Sequence, residues 1–322
     1  MKSFGDLRNF CGYIVKRYGS PDAATEDDKA EEFRKIYLRN LPPNLRALRA
    51  VASTCGVRLN SIDSKKLPQN LRGYHDVYDD KRNIYYIKND TMSGIENTIL
   101  HEIREMIEPI FTEVCPGYEP LRTIAIHLAA NSFATAVLLP RDEFEKKVYE
   151  TGFDVIALSE LYSKSCSQVL LRMGEVLQGK LFFYAALYES DIGDQLDWQV
   201  TYWTSCHNED CPEANVYGVD GLFPRKGHKV VSGSLVDRAI KTGKAQFVEY
   251  ITFSDDVDDF GLTAVAQPLL LPEFKQSKIA LIAMLKSDGQ KLEPQIEKTN
   301  ATVIERLRIS PAGKEFNYEY GD

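Results

Sequence analysis

Apolar residues recur at helical spacing through the first part of the chain. Phe10, Ile14 and Val15 share one face of an opening helix, and a second amphipathic stretch runs from about Glu26 to Tyr37 until Leu41, Pro42 and Pro43 stop it. Residues 44–56 read as a short helix with Gly56 placed to cap its end. The period then shortens. Residues 73–78 and 83–88 are rich in tyrosine and β-branched residues and flank the polar turn 79–82, which is the pattern of a hairpin. After Ser93 and Gly94, the stripe Ile95, Ile99, Ile103 and Met106 or Ile107 predicts a helix that Pro109 closes or bends. A further helix, residues 122–137, carries Ile124, Leu128, Phe133 and Val137 and ends before Pro140.

The second half follows a different pattern. Residues 154–178 give two short helices around Ser163, Lys164 and Ser165, with Ser165 suited to cap the second. Their spacing resembles a helix-turn-helix, and equally a plain helical hairpin. From Leu181 onward, five segments are strand-like: 181–188, 198–204, 245–251, 262–271 and 279–285. A capped helix over 234–243 lies between them, a terminal helix is expected over 292–307, and the tail after Ile309 is polar. These elements predict an α+β protein. Its expected parts are residues 1–145, a helix-turn-helix-like connector 146–180, a sheet domain 181–310 and a tail 311–322.

A length of 322 residues exceeds one ordinary core, and 43% hydrophobic with 27% charged residues excludes disorder over most of the chain. The net charge, 39 − 47 = −8, gives no general attraction for phosphate backbones, and Lys164 and Arg172 are the only cations near the helical pair. Direct DNA binding is therefore not expected. Asp6, Arg8, Lys16 and Arg17 interrupt any leader-like stretch, and no apolar run reaches membrane-spanning length. Cysteines 11, 55, 115, 166, 206 and 211 form no framework, which suits reduced thiols and a cytoplasmic location.

Candidate chemistry concentrates in His101-Glu102-Ile103-Arg104-Glu105. Residues i and i+4 share a helix face, so His101 and Glu105 can reach one point while Glu102 approaches it from the side. His127, on the following helix, completes a His₂Glu set of the kind that holds a catalytic zinc. Glu102 is then the candidate general base. Arg72, Tyr74 and His75 are candidates to line the cleft, or are hairpin surface residues. Cys206, His207 and Cys211 lack a second ligand pair, residues 255–259 lack the glycine and terminal glutamate of a calcium loop, and both read as turns. Phe182, Phe183, Tyr184, Trp198, Tyr202 and Trp203 read as core.

Four segments in order, between about Leu41 and Arg172, resemble the ImmA/IrrE family of zinc metallopeptidases. They are LPQNLRGYHDVYDDKRNIYYIK, TILHEIREMI, AANSFATAVLLP and FDVIALSELYSKSCSQVLLRM. The resemblance implies a zincin-like fold, zinc as cofactor, and cleavage of a transcriptional repressor in a stress response, with Glu102 as the base. The chain departs from the family pattern at two positions. That pattern has histidine where Glu105 stands, and glutamate four residues before the Asn131 position, where His127 stands. The ligand types are thus exchanged between helices with the His₂Glu total kept. The segments SGSLVDRAIKTGKAQFVE, LTAVAQPLLL and IALIAMLKSD are similar to GAF domains, which implies a sensor half with a small ligand. The expected function is a zinc endopeptidase acting on a regulatory protein. The alternative is a catalytically silent peptidase-fold regulator that binds a protein partner or small ligand.

Overall fold

The computed structural model describes residues 7–39, 41–68, 71–78, 81–190, 198–206, 226–253, 261–271, 276–309 and 318–319. The chain forms two compact units, Met1–Asp142 and Glu143–Asp322. The architecture is α+β, as the pattern predicts: the first unit combines helices with a small sheet, and a large sheet dominates the second.

The first unit holds α1 (Leu7–Tyr18), α2 (Glu26–Phe33), α3 (Leu45–Thr54), α4 (Met92–Val114) and α5 (Thr123–Leu138) and the sheet β1 (Val57–Ile62), β2 (Gly73–Tyr78) and β3 (Lys81–Ile87), with α3 packed on β1 and α4 on β2 and β3. Thr25 caps α2 in a reciprocal box with Asp28, and a π-helical turn, Arg34–Leu38, extends that helix to a left-handed Arg39. Asn44 caps α3, and Gly56 follows its end at φ 70°, the left-handed position glycine fills without strain. The sheet order is β1-β3-β2, with β1 parallel to β3 and β2 antiparallel to it. The hairpin is as expected, although residues 79 and 80 of its turn lie outside the described residues. β1 was not legible from pattern, because its only ladder partner is the non-local β3.

Two expectations for the long helices need correction. Of the two expected effects of Pro109, closing or bending the helix, closure does not occur, since α4 starts at a Thr91 cap and runs through Val114 with Pro109 inside. The residue has no N–H for the Glu105 carbonyl, so the helix continues at the loss of one bond, held by the burial of Ile110 and Phe111. On α5, Phe133 and Val137 are core, but Ile124 is 78% and Leu128 62% exposed, so the apolar face begins only at Ala130. Phe33 joins α2 to this core, edge-on to Phe10 at 5.8 Å and to Phe133 at 5.4 Å between ring centres.

The orientation of α4 is set by buried charges. The Arg104 guanidinium, fully buried, donates to both oxygens of Glu26 at 2.7 and 2.9 Å and to Glu108 at 2.9 Å. Glu108 accepts further bonds from Tyr118 Oη at 2.6 Å and Leu121 N at 2.8 Å. Burial alone would raise the Glu108 pKa, but the bonds from Tyr118, Leu121 and Arg104 outweigh it and hold the carboxyl below its usual range.

Helix α6 (Arg141–Glu150), which the sequence pattern did not reveal, lies mostly in the second unit, and α7 (Val155–Tyr162) and α8 (Cys166–Leu177) follow it. Asp154 and Ser165 cap them, the latter in a box with Gln168. Arg172 is buried and paired with Glu175. The sheet that follows has the order β10-β9-β6-β7-β8-β4-β5, with strands Phe183–Ser190 (β4), Trp198–Cys206 (β5), Gln246–Phe253 (β6), Leu262–Leu271 (β7), Gln276–Leu285 (β8), Thr302–Ile309 (β9) and Tyr318–Glu319 (β10). Within this sheet, among the described residues, only β6 and β9 pair in parallel. Helix α9 (Leu235–Thr242), capped by Ser234 and ended at Gly243, lays Leu235, Val236 and Ala239 onto the sheet core. The expected terminal helix is half strand: α10 (Glu293–Thr299) stops at a left-handed Asn300, and the β-branched Thr302, Val303 and Ile304 continue as β9. Phe182, Phe183, Tyr184 and Trp198 are core as expected, while Tyr202 and Trp203 are half-buried. Residues 207–211 and 255–259, and most of the tail, lie outside the described residues.

Candidate metal centre

The i to i+4 spacing on α4 does what it predicts: His101 Nε2 lies 3.0 Å from Glu105 Oε1. Helix α5 brings His127 to the same carboxylate, with Nδ1 at 3.4 Å from Glu105 Oε1, and the two imidazoles meet edge to face at 4.6 Å between centres. One ligand atom from each of His101, Glu105 and His127 therefore falls within 4.8 Å of the others. Two ligands at 2.0–2.2 Å from a tetrahedral zinc are separated by roughly 3.4 Å. The separations of 3.0 and 3.4 Å match that edge to within a few tenths of an ångström, so the donor set fits a metal ion.

The neighbours of these residues prepare them for that task. Asn131 Oδ1, one helical turn beyond His127, lies 3.0 Å from His101 Nδ1 and accepts from it, which orients the ring so that Nε2 is the nitrogen turned toward the common point. His101 beside it is the main cause that holds the Glu105 carboxyl below its usual range, against the opposing effect of burial. The centre is graded in depth. His101 is buried, Glu105 is half-buried, and the His127 side chain is 62% exposed, so the common point opens toward solvent on the α5 side.

Glu102 projects from the next face of α4 and is buried, 6% exposed. Its carboxylate meets His75 of β2: His75 Nδ1 lies 2.7 Å from Glu102 Oε2 and 3.8 Å from Glu105 Oε2. The bond to Glu102 is the first cause that raises the His75 pKa above its ordinary value, with burial opposing it. The three cleft-lining candidates thus differ. His75 reaches the centre, Tyr74 stacks on Tyr85 at 4.6 Å, and Arg72 is exposed. The participation of Asn131 and the anchoring role of Arg104 were not foreseen. A polar residue one turn after a candidate ligand was the available signal for Asn131, and none existed for Glu26, 78 positions from Arg104.

A solved structure described as a Mycobacterium tuberculosis transcriptional regulator has a similar fold. The two align with a TM-score of 0.54 and 15% sequence identity, over 98% of this chain and 91% of that one. At that identity the likeness shows the fold alone. No family model matches the chain, and no curated protein matches it. Among the described residues no single helix is long and apolar enough to cross a membrane.

Proposed function

We propose that this chain is a zinc-dependent endopeptidase of the ImmA/IrrE type whose substrate is a regulatory protein. The observation that carries the reading is the convergence of His101 Nε2, Glu105 Oε1 and His127 Nδ1 beside a buried glutamate on the adjacent face of the same helix. His101, Glu105 and His127 would hold the ion. Zinc supplies Lewis-acid polarisation of a peptide carbonyl and acidifies a water molecule at neutral pH. Glu102 takes the proton from the attacking water and delivers it to the departing amine, a role that its burial beside the proposed metal ligands favours. Asn131 fixes the His101 tautomer throughout. The substrate is proposed to be a transcriptional repressor cut in a cytoplasmic stress response, with the GAF-like second half sensing a small ligand.

The test is zinc analysis of the purified full chain together with cleavage of a fluorescence-quenched peptide library. One zinc per chain, cleavage abolished by chelation, and a Glu102→Gln protein that keeps its zinc but loses cleavage are the expected results. A zinc-free protein, or a fully active Glu102→Gln protein, refutes the reading.

The exposure of the His127 side chain favours a second reading. A ligand open to solvent on one side suits a silent, peptidase-fold regulator that holds a partner instead of cutting it. The likeness in fold to a transcriptional regulator supports this reading as much as the first. Zinc binding without cleavage of any library peptide would select it.

A further inference from the structure

The edge strand β2 approaches α4 unusually closely at one point. A Cβ on Gly73 would stand 2.4 Å from Thr98 Cγ2 and 2.4 Å from the Tyr85 carbonyl oxygen, so only glycine permits the approach. Strand residues two apart share a face, and helix residues four apart share a face. The contact of Gly73 with Thr98 therefore carries His75 onto Glu102, and the 2.7 Å distance from Nδ1 to Oε2 is the outcome.

Two roles for His75 can be separated by distance. His75, Glu102 and Glu105 also bring ligand atoms within 4.8 Å of one another, which is compatible with a second ion. Two ligands of one tetrahedral zinc, however, stand about 3.4 Å apart. The separation of 2.7 Å is too short for that edge and is the length of a charge-assisted hydrogen bond. The His101, Glu105 and His127 set, at 3.0 and 3.4 Å, lies near the edge instead.

We propose that His75 is the positioning residue for Glu102: its Nδ1–H donates to Glu102 Oε2, fixes the carboxylate, and leaves Oε1 as the oxygen that takes the proton. The centre is then a metal triad with a histidine–glutamate dyad beside it, delivered by a third element of the fold. A buried carboxylate without such a donor loses both its solvation and its orientation. The inference rests on the peptidase reading for the consequence of the bond, and on geometry alone for the bond itself.

The experiment uses the full chain in three forms: wild type, His75→Ala, and His75→Asn, whose amide nitrogen stands near the place of Nδ1. With the library peptide cut fastest by wild type, His75→Ala lowers kcat by about 10- to 100-fold, the usual effect of losing an orienting partner, with KM and zinc content unchanged. His75→Asn regains most of the loss. In the metal-free protein, the His75 Nδ1–H proton gives a slowly exchanging NMR signal that moves upfield on Glu102→Gln. Wild-type kcat in His75→Ala overturns the proposal, as does loss of bound metal in that variant, which would make His75 a ligand. An Asn variant as deficient as the Ala variant, or an Nδ1–H signal indifferent to Glu102→Gln, also overturns it. A wild type that cuts no peptide refutes the peptidase reading, and the NMR signal then decides on the bond independently.

Discussion

Arg104→Ala is the perturbation whose consequences can be worked furthest from the structure. The guanidinium is fully buried and makes three hydrogen bonds to two carboxylates, Glu26 and Glu108, of which Glu108 is itself buried. Truncation removes the guanidinium from that carboxylate and leaves it the neutral donors Tyr118 Oη and Leu121 N, and removal of one partner of a buried pair typically costs about 3–5 kcal/mol. At 1.4 kcal/mol per tenfold, α4 amides that exchange through opening of the first unit should exchange faster by roughly two to three and a half orders of magnitude. Hydrogen–deuterium exchange of peptides covering residues 92–114 reads this directly. The pH dependence separates charge from packing loss. Glu108 in the folded protein has a depressed pKa, so it contributes stability above its unfolded value, and that contribution is lost as pH falls through the folded value. In Arg104→Ala the effect of burial is no longer fully opposed, and the Glu108 pKa rises. The gap between wild type and variant should therefore narrow as pH drops from 7 toward the carboxylate range. A gap that is below about 1 kcal/mol at pH 7, the scale of an exposed ion pair, would refute the argument. So would a gap that stays constant with pH, because the penalty would then be lost packing.

Two further substitutions test the centre. Glu105→Gln removes the only anionic member of the proposed ligand set and should eliminate measurable zinc binding in a competitive chelator titration, while α4 helicity by circular dichroism stays at the wild-type level; retained affinity would exclude Glu105 as a ligand. Asn131→Ala should weaken zinc binding by about 10- to 100-fold, because the His101 tautomer is no longer fixed, and unchanged affinity would show that the 3.0 Å contact does not orient the ring.

Local periodicity carried the elements that are stabilised locally. The spacing of His101 and Glu105 and the alternation in β2 and β3 were legible because each feature is decided within a few residues. What was not legible depends on partners far along the chain. Strand β1 is a strand because β3 offers it a parallel ladder, and Arg104 is a buried anchor because α2 presents Glu26 to it. Pro109 misled in the other direction: its local preference to break a helix was overridden by the burial of Ile110 and Phe111 beyond it. The terminal helix failed at Asn300, where a left-handed residue allows the chain to leave the helix and the parallel ladder with β6 takes over. His75 stood among three candidates of equal rank in the sequence, and only the close approach at Gly73 distinguishes it.

Helix α4 brings these observations together because its faces face different elements. Successive residues turn by about 100°, so His101 and Glu105 point one way, Thr98 and Glu102 another, and Arg104 and Glu108 a third. The first face meets α5 through His127 and Asn131, the second meets β2 through Gly73 and His75, and the third meets α2 and the Tyr118 segment through buried charge. A small rotation of α4 would therefore disturb all three contacts at once. A glutamate on α4 and a histidine on α5 suit this geometry for the same reason. The longer glutamate at position 105 lies on the fixed helix, where His101 and His127 both reach its Oε1, while the shorter imidazole at position 127 comes from the exposed start of α5, close enough that its ring lies 4.6 Å from that of His101. The carboxylate thus sits between its two imidazole partners, and the three candidate donors converge without any movement of α4.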